Sequence, residues 1–203
     1  MTWNDISLHK FNELKEILLD EELSHEDKVL YEIQILFNVQ DPNKLKIHEL
    51  HYYINELKFL DEKIPNMKLK DTYVLGDSKY TLNKRIQDFT VAQWIDFQGF
   101  MRSGGSDTDN FSNLLSIFFF PEGQKEYNEG YDIDKVRRDI DENLSIADAV
   151  SISTFFLNFH KASLVNFLLY TKRMMKKQPL TKIRKKVMNL EIKEGIKKII
   201  FGV

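Results

Sequence analysis

Apolar residues recur at helical spacing through most of the chain, and the longest such stretch is Ser145–Lys177. Its apolar positions lie three or four residues apart, which predicts one long buried helix. Ser145 and Asp148 have the spacing of a capping box at its start, and basic residues crowd its end, where the helix dipole favours cations. We expect the rest of the chain to pack around this helix. Its interrupting polar residues, expected to be hydrogen-bonded in the core or to contact a neighbouring subunit, are Asn158, His160 and Asn166.

The first part of the chain, residues 1–64, has the pattern of an N-terminal helical region. One amphipathic helix is predicted over Ser7–Asp20, and a second starts at the capping box Ser24–Asp27. A third is predicted over Ile47–Leu60. Helices of this length with short links are typical of a small bundle.

The pattern changes from helical spacing to alternation in residues 65–82. Alternating residues on both sides of Gly76 and Asp77 predict a β-hairpin with a tight turn. An isolated hairpin is only marginally stable in water, so it has to pack against the helices or a partner.

Residues 83–177 return to helical spacing and are predicted to form a helical core. Thr90 and Gln93 form a capping box, and Asp132 caps a later amphipathic helix. The strongly apolar run Phe111–Phe120 predicts a short helix that ends at a proline. The predicted fold is therefore mainly α: a multi-helix bundle with one small β-hairpin and a basic amphipathic C-terminal helix or extension.

The C-terminal extension, residues 178–203, is a basic tail with apolar residues at helical intervals. Eleven basic and two acidic residues give the segment from Lys172 onward a net charge of +9, whereas the preceding residues carry −11 within the total of −2. This asymmetry predicts an acidic partner, which can be nucleic acid, another protein or a second copy. The candidate partner-binding residues are Lys182, Arg184, Lys185, Lys186, Lys193, Lys197, Lys198, Ile183, Val187 and Leu190.

By sequence, a protein partner is favoured for this tail over nucleic acid, and both over a membrane surface or a simply solvated segment. Its apolar residues suit a helix that docks in the groove of a protein partner or lies on a membrane surface. Its cations suit sequence-independent neutralisation of nucleic-acid phosphates, with strong salt dependence.

The amino-acid composition further limits the fold and the function that the chain can have. The chain of 203 residues contains only 8 glycines and 4 prolines, which favours helices over a loop-rich fold. The absence of cysteine excludes disulfides and thiol chemistry. The apolar stretch Phe155–Tyr170 is too short for a membrane span and contains His160 and Lys161. With no signal-peptide pattern at the start, we expect a soluble protein.

Candidate chemistry is sparse. His48 and His51 have a spacing that can supply two metal ligands, but no further residues complete a known pattern, so we expect surface or packing roles. The loop carboxylates Asp107 and Asp109 lack the glycine and glutamate of a calcium loop. His160 is interpreted as a hydrogen-bonded core residue. Neither a nucleophile elbow nor a phosphate-binding loop is present, so we expect no enzymatic activity and no cofactor or metal.

Four segments follow one another in a distinctive order: Thr90–Met101 (TVAQWIDFQGFM), Asn113–Gly123 (NLLSIFFFPEG), Gly130–Ile140 (GYDIDKVRRDI) and Ser145–Phe159 (SIADAVSISTFFLNF). In this order the chain resembles the tail-assembly-chaperone-like or virion structural proteins of tailed bacteriophages that infect Bacteroidetes, including crAss-like phages. The resemblance covers about residues 5–177, and its motifs are packing motifs.

The resemblance implies a non-enzymatic virion structural protein, or a protein of head or tail assembly. The expected partners are other phage structural proteins in a multi-copy symmetric assembly and, through the basic tail, DNA. The expected location is the virion, with the host cytoplasm during assembly. Two alternatives remain: a cargo protein packaged in the virion and released with DNA, and a nucleic-acid-binding regulator that uses the tail. The lack of a helix-turn-helix with basic recognition positions counts against the regulator.

Overall fold

The computed structural model describes residues 1–85, 88–102, 108–124, 127–128 and 130–177, with side chains described as far as residue 161 except that of Asp109. The chain divides into two compact units, and the boundary between them follows Ser153. The division therefore falls inside the last helix.

The described residues are mainly α-helical with one small antiparallel sheet, which confirms the predicted fold class. The α-helices are α1 (Leu8–Leu19), α2 (His25–Phe37), α3 (Ile47–Glu56), α4 (Val91–Arg102), α5 (Phe111–Ser116), α6 (Ile133–Asn143) and α7 (Ile146–Lys177). Short 3-10 turns cover Pro42–Lys44, Leu57–Asp61 and Thr108–Asn110. The strands are β1 (Thr72–Leu75), β2 (Ser78–Leu82) and β3 (Phe119–Pro121), in the order β1-β2-β3.

The predicted helix starts are confirmed by hydrogen bonds from backbone amides to the cap side chains. The Ser24 hydroxyl accepts a hydrogen bond from the amide of the third residue after it at 3.1 Å. The Asp132 carboxylate and the Ser145 hydroxyl accept in the same way, at 2.9 Å and 3.1 Å. The box at Ser145 is only half formed, because the Asp148 carboxylate contacts Lys70 Nζ at 3.2 Å instead. Each cap satisfies an amide that the first helical turn leaves without a partner.

The β-hairpin is also confirmed, with Gly76 at a φ of +57° in its two-residue turn.

The predicted helix over Phe111–Phe120 is wrong in its second half. Its helical part ends at Ser116, and β3 then pairs with β2, so that Phe119 lies opposite Leu82. A short apolar run fits a buried strand as well as a helix, aromatic residues favour strands, and a third strand stabilises the hairpin. Residues 83–177 are thus not purely helical.

The centre of the first unit's core also differs from the prediction. We expected the last helix to be the hydrophobic centre, and its start does contribute Ile146, Ala149 and Ile152 to the core. Among the residues whose burial the structure describes, however, the most continuously buried stretch is residues 111–120, in which only Asn113 is not buried. This stretch supplies both a helix and a strand to the core.

The starts of α1 and α7 are held together by backbone pairing. Their cap residues, Ser7 and Ser145, form an antiparallel bridge. The amide of Leu8 donates to the Leu144 carbonyl at 2.9 Å, and the Ile146 amide donates to the carbonyl of Ile6 at 2.8 Å. The first unit is therefore closed by a contact between its two ends.

In the second unit, which begins at Thr154 within α7, the rings of Phe155 and Phe156 are in edge-to-face contact at 5.1 Å. Phe156 is buried, whereas Asn158 is exposed, which excludes a buried role for Asn158. His160 is half-buried, and burial lowers its pKa. The side chain of Asn166 lies outside the described residues.

Glu32 on α2 provides a pH-dependent test of the first unit. It is only 9% exposed, and burial raises the pKa of its carboxyl. Above this raised pKa the folded state holds a poorly solvated charge, so we expect Glu32→Gln to increase the free energy of unfolding at pH 7, by about 1 kcal/mol at most. As pH falls below the ordinary pKa of a glutamate carboxyl, about 4.3, the carboxyl is neutral in both states and the gain disappears. Thermal unfolding at several pH values measures this.

The control for Glu32→Gln is Glu21→Gln, because Glu21 is exposed in the turn after α1. We expect it to leave the midpoint unchanged at every pH. An equal gain for both variants would mean that overall charge, rather than burial of Glu32, is responsible.

Candidate interaction surface

Helix α4 is attached to the first unit through one face. Gln93 is 1% exposed, and its Nε2 donates to the carbonyl of Ile117 at 3.0 Å. Phe97 is fully buried and meets the ring of Phe118 edge-to-face at 5.5 Å. The helix start is fixed by the predicted capping box, because the amide of Gln93 donates to the Thr90 hydroxyl at 3.2 Å and the Thr90 amide donates to Gln93 Oε1 at 3.0 Å.

The opposite side of α4 is also apolar, and it is exposed. Val91 is 76% exposed and Ile95 61%. Trp94, which is 36% exposed, lies at the border of this side, with its ring 5.7 Å from the ring of Phe97. Ile95 lies two residues from both Gln93 and Phe97, which places it about 160° around the helix from each of them. Exposed apolar groups gathered in this way are typical of a partner-binding surface.

Gly99 continues this exposed side one turn after Ile95. A Cβ at Gly99 would meet no atom within 4 Å, and its φ is not in the left-handed region. Glycine inside a helix costs about 1 kcal/mol relative to alanine, and no contact among the described residues requires it here. Its effect is to leave the helix surface open to close approach from outside. We refer to Val91, Trp94, Ile95 and Gly99 together as the α4 outer face.

A groove of about 440 Å³ adjoins the α4 outer face and separates α4 from α5 and α6. It is lined by Ile95, Asp96, Gly99, Phe100, Asn113, Ser116, Ile117, Ile133 and Arg137. The apolar residues of this set lie on α4, on α6 and in the turn between α5 and β3. A concave apolar surface next to an exposed apolar helix face can accept a partner's side chains.

Two charged residues line the groove in fixed positions. Asp96 Oδ2 accepts a hydrogen bond from the Tyr127 hydroxyl at 2.8 Å. Arg137 donates to Asn113 Oδ1 at 3.2 Å and pairs with the Asp134 carboxylate at 2.8 Å. An apolar centre with a charged rim is the usual anatomy of a protein–protein interface.

The hydroxyl of Tyr127 is held as the donor of the hydrogen bond to Asp96. Burial, followed by the bond to the Asp96 carboxylate, raises the pKa of Tyr127 well above its ordinary value. Tyr127 therefore remains a protonated donor at neutral pH. The Asp96 carboxylate stays oriented beside the α4 outer face.

A second polar cluster, at the start of α7, binds the segment that precedes the hairpin. Lys70 Nζ contacts Asp148 Oδ2 at 3.2 Å and lies 5.3 Å from the centre of the Tyr73 ring. The amide of Met67 donates to Ser151 Oγ at 2.7 Å. These contacts join residues far apart in sequence, so the cluster has a structural role.

The sequence-predicted histidines are not brought together with other ligands. His48 and His51 are both exposed on α3. In the part of the chain that the structure describes, no group of three His, Asp or Glu side chains could hold a metal ion. Asp107 and the side chain of Asp109 lie outside that part. Among the described helices, none has the length and hydrophobicity needed to cross a membrane.

The ten predicted partner-binding residues of the basic tail all lie outside the described residues, so their role stays a prediction. The α4 outer face, in contrast, was not predicted. A signal for it was present: apolar residues occupy both sides of this helix, with Phe97 on one side and Val91 and Ile95 on the other. An amphipathic surface helix needs only one such side.

Comparison of the chain with protein-family models, curated proteins and solved structures finds no match. Function therefore has to be inferred from the chain's own surface and sequence.

Proposed function

We propose that this protein is a non-enzymatic structural or assembly protein of a tailed-bacteriophage virion that acts through protein–protein contacts. The observation that carries the proposal is the α4 outer face, an exposed apolar surface on a helix whose other side is already buried. The phage setting comes from the resemblance of the sequence to virion structural and tail-assembly-chaperone-like proteins.

Burial of the α4 outer face by a partner would provide the binding free energy. Removing apolar surface from water contributes about 25 cal/mol per Å², and Val91 and Ile95 are among the most exposed apolar side chains described. Tryptophan is enriched among the residues that dominate interfaces, so Trp94 is the expected anchor. Asp96 and Arg137 on the groove would select the partner by charge.

The basic tail favours a second candidate in the same setting, a cargo protein packaged in the virion and released with DNA. The supporting observation is the net charge of +9 from Lys172 onward. Such binding would be blind to sequence and would weaken steeply as salt rises. Sequence-dependent binding in a gel shift at physiological salt would favour the regulator instead.

Mass spectrometry of purified phage particles tests the structural role directly. We expect the protein at a fixed copy number per particle, and its absence would restrict it to assembly or reject the phage setting. For the surface, we expect Val91→Glu to reduce incorporation into particles at least tenfold, because it places a charge in the apolar contact.

The matched control for Val91→Glu is Val74→Glu, since Val74 on β1 is 73% exposed and Val91 76%. Both variants should fold as the wild type does, and only Val91→Glu should fail to be incorporated. Normal incorporation of Val91→Glu would reject the α4 outer face as the binding surface.

A further inference from the structure

We propose that the α4 outer face of one copy binds the C-terminal tail of a second copy through Ile183, Val187 and Leu190, so that copies join head to tail. This inference rests on the proposed function and specifies the partner that the surface takes.

The apolar residues of the two surfaces have matching spacing. Ile183, Val187 and Leu190 would form one stripe about 10 Å long if the tail binds as a helix. On the α4 outer face, Val91, Ile95 and Gly99 extend over about 12 Å. A single short helix would therefore cover the exposed side of α4.

The open position at Gly99 suits a helix as the ligand. Helices pack with their axes 8–10 Å apart, and small residues allow the closer distances. Because a Cβ at Gly99 would meet no atom within 4 Å, a partner side chain can fill this space next to Ile95. The groove beside α4 would then accept the side chains at the edge of the tail's apolar stripe.

The charges of the two surfaces are complementary. The segment from Lys172 carries +9 and the preceding residues −11. On a helical tail, Arg184 and Lys186 would flank the apolar stripe on its two sides. At the groove, Asp96 is the acidic group that one of these cations can face, whereas Asp134 is already paired with Arg137 at 2.8 Å. Complementary rims of this kind set orientation and association rate more than affinity.

The length of chain beyond α7 allows the tail to reach a neighbour. The chain has 203 residues and α7 ends at Lys177, so 26 residues follow it. Within the second unit, α7 runs from Thr154 to Lys177, which is about 36 Å. A contact in which one copy's tail occupies another copy's α4 outer face is heterologous, so it closes into a ring or continues as a filament. Such propagation fits a multi-copy assembly.

Cysteine cross-linking of full-length chains tests the contact, because the native chain contains no cysteine. Two differently tagged variants, Ile95→Cys and Val187→Cys, are mixed under mild oxidation. We expect a mixed covalent dimer as the main product, at least tenfold more abundant than with Val74→Cys in place of Ile95→Cys.

Two outcomes of the cross-linking would overturn the inference. If Ile95→Cys forms mainly its own dimer, the α4 outer face pairs with itself. A third variant carries both Ile95→Cys and Val187→Cys on one chain. If it forms an intramolecular disulfide while the mixed single variants form none, the tail binds its own copy.

Sedimentation equilibrium of full-length variants separates this inference from the proposed function. Self-association should weaken at least tenfold with Val91→Glu and with Val187→Glu. It should persist with Val74→Glu and with Asn189→Glu, which adds the same charge off the apolar stripe. If Val91→Glu prevents incorporation into particles but no variant changes self-association, the proposed function stands and the second copy is rejected as the partner.

Discussion

Replacing Phe118 by alanine is expected to lower the free energy of unfolding by about 3–5 kcal/mol. Phe118 is fully buried, stacks on Phe89 at 5.0 Å and meets Phe97 edge-to-face at 5.5 Å. Its removal would leave a cavity where α4 is attached to the buried stretch that contains α5 and β3. Urea denaturation followed by circular dichroism measures the change.

The control for Phe118→Ala is Trp94→Ala, which removes a larger ring from a residue that is 36% exposed. We expect a smaller loss, of about 2 kcal/mol, because Trp94 is partly exposed and its ring lies at the edge of the core, 5.7 Å from the ring of Phe97. Equal losses for the two variants would contradict the assignment of one attached and one exposed side to α4.

Replacing Gln93 by glutamate is expected to lower the free energy of unfolding by about 3 kcal/mol at pH 7. The introduced carboxylate still accepts from the Thr90 amide, but it no longer donates to the Ile117 carbonyl, which Gln93 Nε2 reaches at 3.0 Å. Two acceptors would then face each other at a position that is 1% exposed.

This loss in the Gln93→Glu variant should depend on pH. Burial raises the pKa of the introduced carboxyl above its unfolded value, and the protonated form can donate to the Ile117 carbonyl again. The difference from wild type is therefore greatest above the raised pKa and shrinks as pH falls through it. The Gln93→Ala variant lacks this group, so its loss should not depend on pH. A pH-independent loss for Gln93→Glu would contradict the role of the amide donor.

The helix starts were predictable because each depends on residues three apart in sequence. Thr90 and Gln93 show which contacts can be predicted from local spacing and which cannot. Their mutual hydrogen bonds were expected from the spacing, but the bond from Gln93 to Ile117 was not, since it spans 24 residues. In the same way, β3 was missed because its pairing with Leu82 depends on the tertiary fold rather than on the local pattern.

The basic tail and the α4 outer face also differ in whether the sequence alone could predict them. The basic tail was predicted because charge accumulates along the sequence and needs no fold to be recognised. The α4 outer face was missed because an apolar residue in a helix is normally interpreted as buried. Only the fold distinguishes Phe97, which is fully buried, from Ile95, which is 61% exposed.

The backbone bridge between the starts of α1 and α7 has a consequence for folding during synthesis. The hydrogen bond from Ile146 to Ile6 joins residues 140 positions apart, and contacts of such long range form slowly. On the ribosome, this bridge cannot form until residue 146 has emerged, whereas α2, which also packs on α1, follows it directly in the chain. The bridge is therefore among the last contacts of the first unit that can form during synthesis.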